Sequence, residues 1–409
     1  MRLSCLFLKI SMSESLLLKT AVFIFSLLLL PFSAYGQDKA INILYTGAIK
    51  GELEPCGCSP KTESGGLARL LGYISSNREE LRPYVLVDAG NSTGEDTPQG
   101  RLKAEALLNS FGIMGYDAAA FLEHDALPDG ILSPLIEKYG IQALSDSARY
   151  RSSVPVARGP FSINISADSK GYKKGSFNIL LTGRPVSEAM SSMSIDGWDV
   201  IVTSSGEILE EPVQAGETVI VSGYPKGEKL GILAVQTGSG GKISSFIHRW
   251  QPLGKDIKED SNVRDVLKEY DRKVASLVDD EEREFSSNGP YLGDASCGVC
   301  HQPFMEGWKR TGHAAAFLSL EKAGKSRDPE CVICHTVGYG EEGGFYSGAV
   351  TPALANVQCE ACHGPGKGHV SDFTMPMRPV GEDVCLRCHT RENSPDFDFK
   401  IYLEKIIHR

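Results

Sequence analysis

Apolar and polar positions follow two rhythms before residue 255 and lose both after residue 286. Short apolar runs at 41–45, 84–88, 177–181, 199–202, 218–221 and 232–235 read as strands. Segments 66–81 and 102–111 read as helices, and this alternation of strand with helix argues for an α/β sandwich. From Val263 through Leu267, Tyr270 and Val274 to Leu277, apolar residues recur at helical spacing among many charges. That pattern predicts an amphipathic helix in an acidic linker spanning 255–286.

What replaces regular patterning in the last third is a repeated motif. Cys297-x-x-Cys300-His301, Cys331-x-x-Cys334-His335, Cys359-x-x-Cys362-His363 and Cys385-x-x-Cys388-His389 share one spacing. Each reads as a c-type haem attachment site, in which two thiols add to the porphyrin vinyls and the histidine ligates the iron. Residues three and four apart lie on one face of a helical turn, so two sulfurs and an imidazole can meet one flat macrocycle. The chain's own Cys and His frequencies predict roughly 0.006 such matches by chance. Zinc is the competing reading, but zinc sites carry no rule placing His directly after the second Cys. Four covalently attached haem c groups are therefore expected. Residues 297–389 offer each haem fewer than about thirty residues, too few for a separate core around every one. The haems must supply much of the apolar core, lying against each other and against Trp308, Phe317 and Phe345.

Residues 1–36 hold Lys9 and Lys19, an apolar run at 21–30 and the small-residue pattern Ala34-Tyr35-Gly36, which together look like a secretory signal peptide. The run is shorter than the ~20 apolar residues a spanning helix needs, so no stable membrane span is expected after cleavage. Periplasmic or extracellular placement follows, where c-type haem is also attached. The chain has 42 basic and 52 acidic residues, a formal charge of −10, which gives no footprint for nucleic acid. Haem propionates would add further negative charge, favouring redox partner proteins that are basic or are other cytochromes.

In the first half, "ILYTGAIKGELEPCGC", "GGLARL", "VLVDAGNSTG", "GYDAAAFLEHDAL" and "DVIVTSSGEI" together resemble the periplasmic 5'-nucleotidase branch of the metallophosphatases over roughly residues 40–250. The resemblance implies a two-sheet sandwich flanked by helices, with two metal ions held by carboxylate, Asn and His ligands at the strand ends. The ligand positions are altered, however. Ala48 and Lys50 stand where the family has Asp and His, Asn91 stands for its bridging Asp, and Glu123-His124 stands for its Asn-His pair. The later His loops are matched by segments such as Thr203-Ser204-Ser205. A catalytically dead scaffold with no catalytic residues is expected. Cys56 and Cys58 lie beside the altered site; a static disulfide, a labile redox-active pair and a structural remnant are the open readings.

In the second half, "YLGDASCGVCH", "WKRTGHAAAF", "CVICHTVGYG", "VQCEACHGPGKGH" and "CLRCHT" resemble the tetrahaem cytochrome family of ammonia oxidisers, related in haem packing to hydroxylamine oxidoreductase and the multihaem nitrite reductases. In that family three haems take a second histidine and the haem of the second motif stays five-coordinate. The histidine count agrees independently. Four of the nine histidines are proximal ligands, and His124 and His248 lie in the first half, which leaves His313, His369 and His408 as distal candidates. By resemblance His369 serves the first haem and His313 the fourth. Gly364, Gly366 and Gly368 would let the backbone around His369 approach closely.

These readings give a signal peptide at 1–36, an inactive 5'-nucleotidase-like α/β domain at 37–254, the helical linker at 255–286, and a small, mostly irregular or α-helical multihaem cytochrome c domain at 287–409. The expected function is electron transfer through closely packed haems. The alternative is a haem oxidoreductase acting on a small nitrogen or sulfur species at the open iron.

Overall fold

The computed structural model describes residues 39–55, 63–192, 195–238, 240–279, 289–391 and 393–406. The leader 1–36, Cys56, Cys58 and His408 lie outside the described residues.

Two six-stranded sheets face each other. The first has strand order β12-β11-β1-β2-β3-β4 and the second β5-β6-β7-β8-β10-β9. In the first, β1 (Lys39–Thr46), β2 (Tyr84–Asp88), β3 (Ala118–Ala120) and β4 (Ala143–Leu144) run parallel, while β11 (Lys229–Thr237) and β12 (Ile243–Pro252) extend it antiparallel. In the second, β6 (Phe161–Ser166), β7 (Phe177–Thr182), β8 (Val200–Thr203) and β10 (Thr218–Ser222) are parallel, with β5 (Ser153–Arg158) and β9 (Val213–Ala215) antiparallel at the edges. Side-chain alternation assigns the two faces of β1. Ile41, Ile43 and Tyr45 enter the layer between the sheets, with Val85, Val87, Ile165, Ile179, Val200 and Val221. Leu44 points the other way, beneath the helices.

Those helices are α1 (Leu67–Ser76), α2 (Pro98–Met114), α3 (Asp129–Tyr139) and α4 (Ser261–Asp279). The helix expected at 66–81 ends at Asn77, whose amide Nδ2 donates to the Tyr73 carbonyl and so competes with the helical ladder. A short second helix resumes at Arg78–Leu81. Helix α2 begins one turn before the expected 102, because the Thr97 hydroxyl accepts from the Gly100 N–H and Pro98 occupies the first turn. Apolar periodicity does not register such a cap.

Helix α4 has Val263, Leu267, Tyr270 and Val274 buried in the same core as α1 and α2. Over its described part, the segment expected to link two domains is therefore a core element of the sandwich.

From residue 289 on, short helices alternate with turns, and the described residues hold a small apolar cluster: Phe317, Leu320, Val332, Val337, Phe345 and Leu354. This region docks on α2 and α4 through polar bonds. Lys103 pairs with Glu330 at 2.7 Å, Lys325 with Asp271 at 2.5 Å, and the Tyr346 hydroxyl donates to the Val278 carbonyl at 2.8 Å.

Candidate haem centres

Each Cys-x-x-Cys-His motif lies on one tight turn. The first leaves helix α5 (Asp294–Gly298), the second fills the end of α6 (Pro329–His335), the third is α7 (Cys359–His363), and the fourth starts in α9 (Glu382–Leu386), with α8 (Lys367–Ser371) between the last two. Bonds from the His301 N–H to the Cys297 carbonyl, 2.9 Å, and from the His389 N–H to the Cys385 carbonyl, 2.8 Å, hold the helical turn that gathers thiols and imidazole on one face. None of the eight motif thiols is in a disulfide.

Two pairs of imidazoles face each other. His301 and His369 have ring centres 6.4 Å apart with planes inclined at 30°, and His313 and His389 are 6.1 Å apart at 49°. Two metal–nitrogen bonds of about 2 Å, plus about 1 Å from each nitrogen to its ring centre, sum to about 6 Å. The spacing fits one iron held between each pair. Burial and the nearby His389 and His335 lower the pKa of His313, which favours the neutral, ligating form.

Other contacts orient the rings. The Nδ1–H of His335 donates to the Ala316 carbonyl at 2.7 Å, that of His363 to the Arg378 carbonyl at 3.2 Å, and that of His369 to the Met375 carbonyl at 2.7 Å. A carbonyl can only accept, so Nδ1 carries the proton and Nε2 keeps its lone pair for a metal. His389 has Nδ1 2.9 Å from the Ser394 hydroxyl and stacks on Phe397 at 5.1 Å.

Among the described residues no imidazole or aromatic ring stacks against His335, whose Nδ1 is anchored on the Ala316 carbonyl, although His313 lies near enough to interact with it electrostatically. The distal candidate for His363, His408, is outside the described residues.

The thiols show which motifs adjoin. Cys297 and Cys359 lie close enough to shift each other's titration, raising the pKa of the first and lowering that of the second. Cys334 and Cys388 do the same, with Cys334 lowered to about 7 by the neighbouring Cys388 and Cys388 raised. Cys362 lies close enough to Cys385 and Cys388 to interact electrostatically with both. First adjoins third, third adjoins fourth, and fourth adjoins second. Apolar side chains at or beside the motifs remain open on the protein surface, among them Val299 at 82% exposure, Phe373 at 72% and Ile333 at 57%. Thiol pairs, metal-ready imidazoles and uncovered apolar surface together suit covalent porphyrin.

The sandwich gives the opposite result. Ala48, Lys50 and Asn91 all have left-handed backbone, with φ of 57°, 55° and 54°, so the loops keep a conformation that is uncommon without glycine, while Ala48 offers no donor atom and Lys50 a cation in place of metal ligands. The Asn91 amide donates to the Ser204 carbonyl, the Ser204 hydroxyl to the Ala89 carbonyl, and the Thr203 hydroxyl to the Arg184 carbonyl. Asp125 accepts from the Leu122, Asn91, Ser92 and Thr93 N–H groups and from the Thr93 hydroxyl. These oxygens serve the loops. Among the described residues no group of three or more His, Cys, Asp or Glu could hold a metal ion.

Known proteins divide the chain in the same way. The family model for cytochrome c554 and c-prime matches residues 296–364. Cytochrome c-554 of Nitrosomonas europaea is 32% identical over 105 residues, covering 22% of this chain and 45% of that protein. The 5'-nucleotidase of Rattus norvegicus is 23% identical over 295 residues, covering 65% of this chain and 47% of that protein. The chain thus spans less than half the length of either curated relative. The solved 5'-nucleotidase precursor from Thermus thermophilus has a TM-score of 0.51 at 14% identity, over 77% of this chain and 74% of that one, a likeness of fold. A cytochrome c554-like segment therefore follows a scaffold with the 5'-nucleotidase fold.

Proposed function

We propose that this chain is a periplasmic tetrahaem c-type cytochrome that passes single electrons along four closely spaced haems, with an inactive nucleotidase-like domain as scaffold. The supporting observation is the joining of all four motifs into one series by neighbouring thiols, first to third to fourth to second. Neighbouring thiols, once linked to porphyrins, bring macrocycle edges close together. Haem c, when bound, supplies a one-electron iron couple.

The chain's residues have distinct parts in this reading. Cys297, Cys300, Cys331, Cys334, Cys359, Cys362, Cys385 and Cys388 carry the thioether links. His301, His335, His363 and His389 are proximal ligands, while His369, His313 and His408 are the distal ligands for the first, fourth and third motifs. The α/β domain runs 37–254, with helix α4 of the segment 255–286 packed into its core, and the haem domain runs 287–409, after a leader at 1–36 that directs export. Among the described residues no helix is long and apolar enough to cross a membrane. Redox partners are basic proteins or other cytochromes, drawn by the chain's negative charge.

One observation favours a second reading. With no ring stacked against His335 among the described residues, the second iron is open to a small nitrogen or sulfur species, which makes a haem oxidoreductase the alternative. Intact mass of the mature protein, coupled to a reductive titration, tests the main reading. Four covalent haems and four electrons per chain are expected, and fewer of either overturns it.

A further inference from the structure

The third motif carries a carboxylate at its first variable position, and this group is almost wholly buried: Glu360 is 2% exposed. Its oxygens take bonds from three backbone N–H groups. Leu292 donates to both oxygens at 3.0 and 2.9 Å, Gly293 to Oε2 at 2.7 Å, and Gly366 to Oε1 at 2.7 Å. Leu292 and Gly293 lead into α5 and the first motif, and Gly366 opens α8, which carries His369. One carboxylate therefore grips both segments whose imidazoles, His301 and His369, face each other at 6.4 Å.

Other bonds complete the joint. The Gln358 side chain accepts from the Asp294 N–H at 2.7 Å, and the Lys367 N–H donates to the Pro290 carbonyl at 3.1 Å. A β-carbon at position 366 would stand 3.1 Å from Oε1 of Glu360, so glycine there suits the carboxylate's approach.

We propose that Glu360 is a positioning residue for the first haem: it fixes the distance between His301 and His369 so that both imidazoles can reach one iron, and it locks the first attachment site against the third. Because Cys359 is its chain neighbour and lies against Cys297, the same carboxylate sets the contact between those two haems. This inference rests on the reading of His369 as a distal ligand. A surface ion pair could not substitute, since three N–H groups converge here on one buried acceptor and have no water to turn to.

The test uses the full mature holoprotein and three variants: Glu360→Ala, Glu360→Gln and His369→Ala. Electron paramagnetic resonance of the oxidised protein reads the spin state, and added imidazole probes the missing ligand. His369→Ala should convert one further haem to high spin, beyond the open iron on His335, and that added signal should revert to low spin with imidazole. Glu360→Ala should produce the same new signal with the same reversal and an unchanged count of covalent haems. Glu360→Gln keeps the volume and turns an amide N–H₂ toward the converging N–H groups, so it should give a smaller fraction of that signal. If Glu360→Ala fails to mature, Glu360→Gln decides alone. Wild-type spin states in the Glu360 variants, with His369→Ala responding as expected, overturn the inference and leave the ligand reading intact. No response in His369→Ala overturns the ligand reading itself.

Discussion

Replacing Gln99 with Leu tests how firmly the scaffold holds the second attachment site. Gln99 is 8% exposed on α2, and its Nε2 donates to the Tyr270 hydroxyl at 3.0 Å and to the Asp328 carboxylate at 2.9 Å. Asp328 also caps α6, accepting from the Glu330 N–H, so the amide bears on the helix that carries Cys331, Cys334 and His335. Leucine keeps the volume, and cavity cost is small. What is lost is one hydrogen bond to a half-buried carboxylate and the partner of a hydroxyl on a tyrosine that is 4% exposed. These losses amount to about 2–4 kcal/mol, a 30- to 900-fold rise in local opening. The Lys103–Glu330 pair has Glu330 at 57% exposure and is worth under about 1 kcal/mol, so Lys103→Met should be the milder change. Hydrogen–deuterium exchange of the holoprotein reads this directly. In Gln99→Leu, amides 328–337 should exchange more than about tenfold faster, while β6 to β8 stay protected. Unchanged exchange at 328–337, or equal acceleration everywhere, would refute the reasoning.

Three other outcomes follow from the same geometry. Burial raises the Asp88 carboxyl from 3.8 to about 7, against hydrogen bonds from Thr46, Ser92 and the Gly90 N–H, with the nearby Asp125 charge adding to the rise. A raised acid stabilises the fold below its unfolded pKa and loses that contribution as pH climbs toward the folded value, so roughly 4 kcal/mol should fade between pH 4 and 7. Asp88→Asn should flatten that part of the stability profile in denaturant titrations; an identical slope in the variant contradicts it. Added manganese or zinc should elicit no hydrolysis of nucleotide monophosphates, given Ala48, Lys50 and Asn91, and metal-dependent turnover abolished by His124→Ala would show a working site. His313→Met should raise the potential of the fourth haem, because a thioether in place of an axial imidazole does so, and an unaltered redox titration would remove His313 from the ligand set.

Legibility differed between the two halves for physical reasons. Six strands, β1, β2, β7, β8, β10 and β11, were readable because each holds a nearly unbroken apolar run, and β7 and β10 are buried at every position, whereas β5 and β12 mix polar with apolar residues and short β3, β4 and β9 give too little pattern to register. Helix ends were not, since Asn77 and Thr97 act through single side-chain bonds that periodicity does not register. Helix α4 was expected from its spacing, yet its place in the sandwich core depends on partners far away in the chain. The attachment motifs are local and so were plain in sequence. Glu360 was not, because the variable positions of such a motif usually carry no signal, and its burial depends on segments 68, 67 and 6 residues away. Gln99 was hidden for the same reason, with its partners 171 and 229 residues distant.

In the proposed row of four haems only the iron on His335 is open. Electron paramagnetic resonance of the fully oxidised mature protein, with cyanide added stepwise, tests it most directly. The expected result is a high-spin signal integrating to one iron in four, abolished by one equivalent of cyanide, with the remaining three irons low-spin and unresponsive. Four low-spin irons that ignore cyanide, or a mature chain with fewer than four covalent haems, would contradict it.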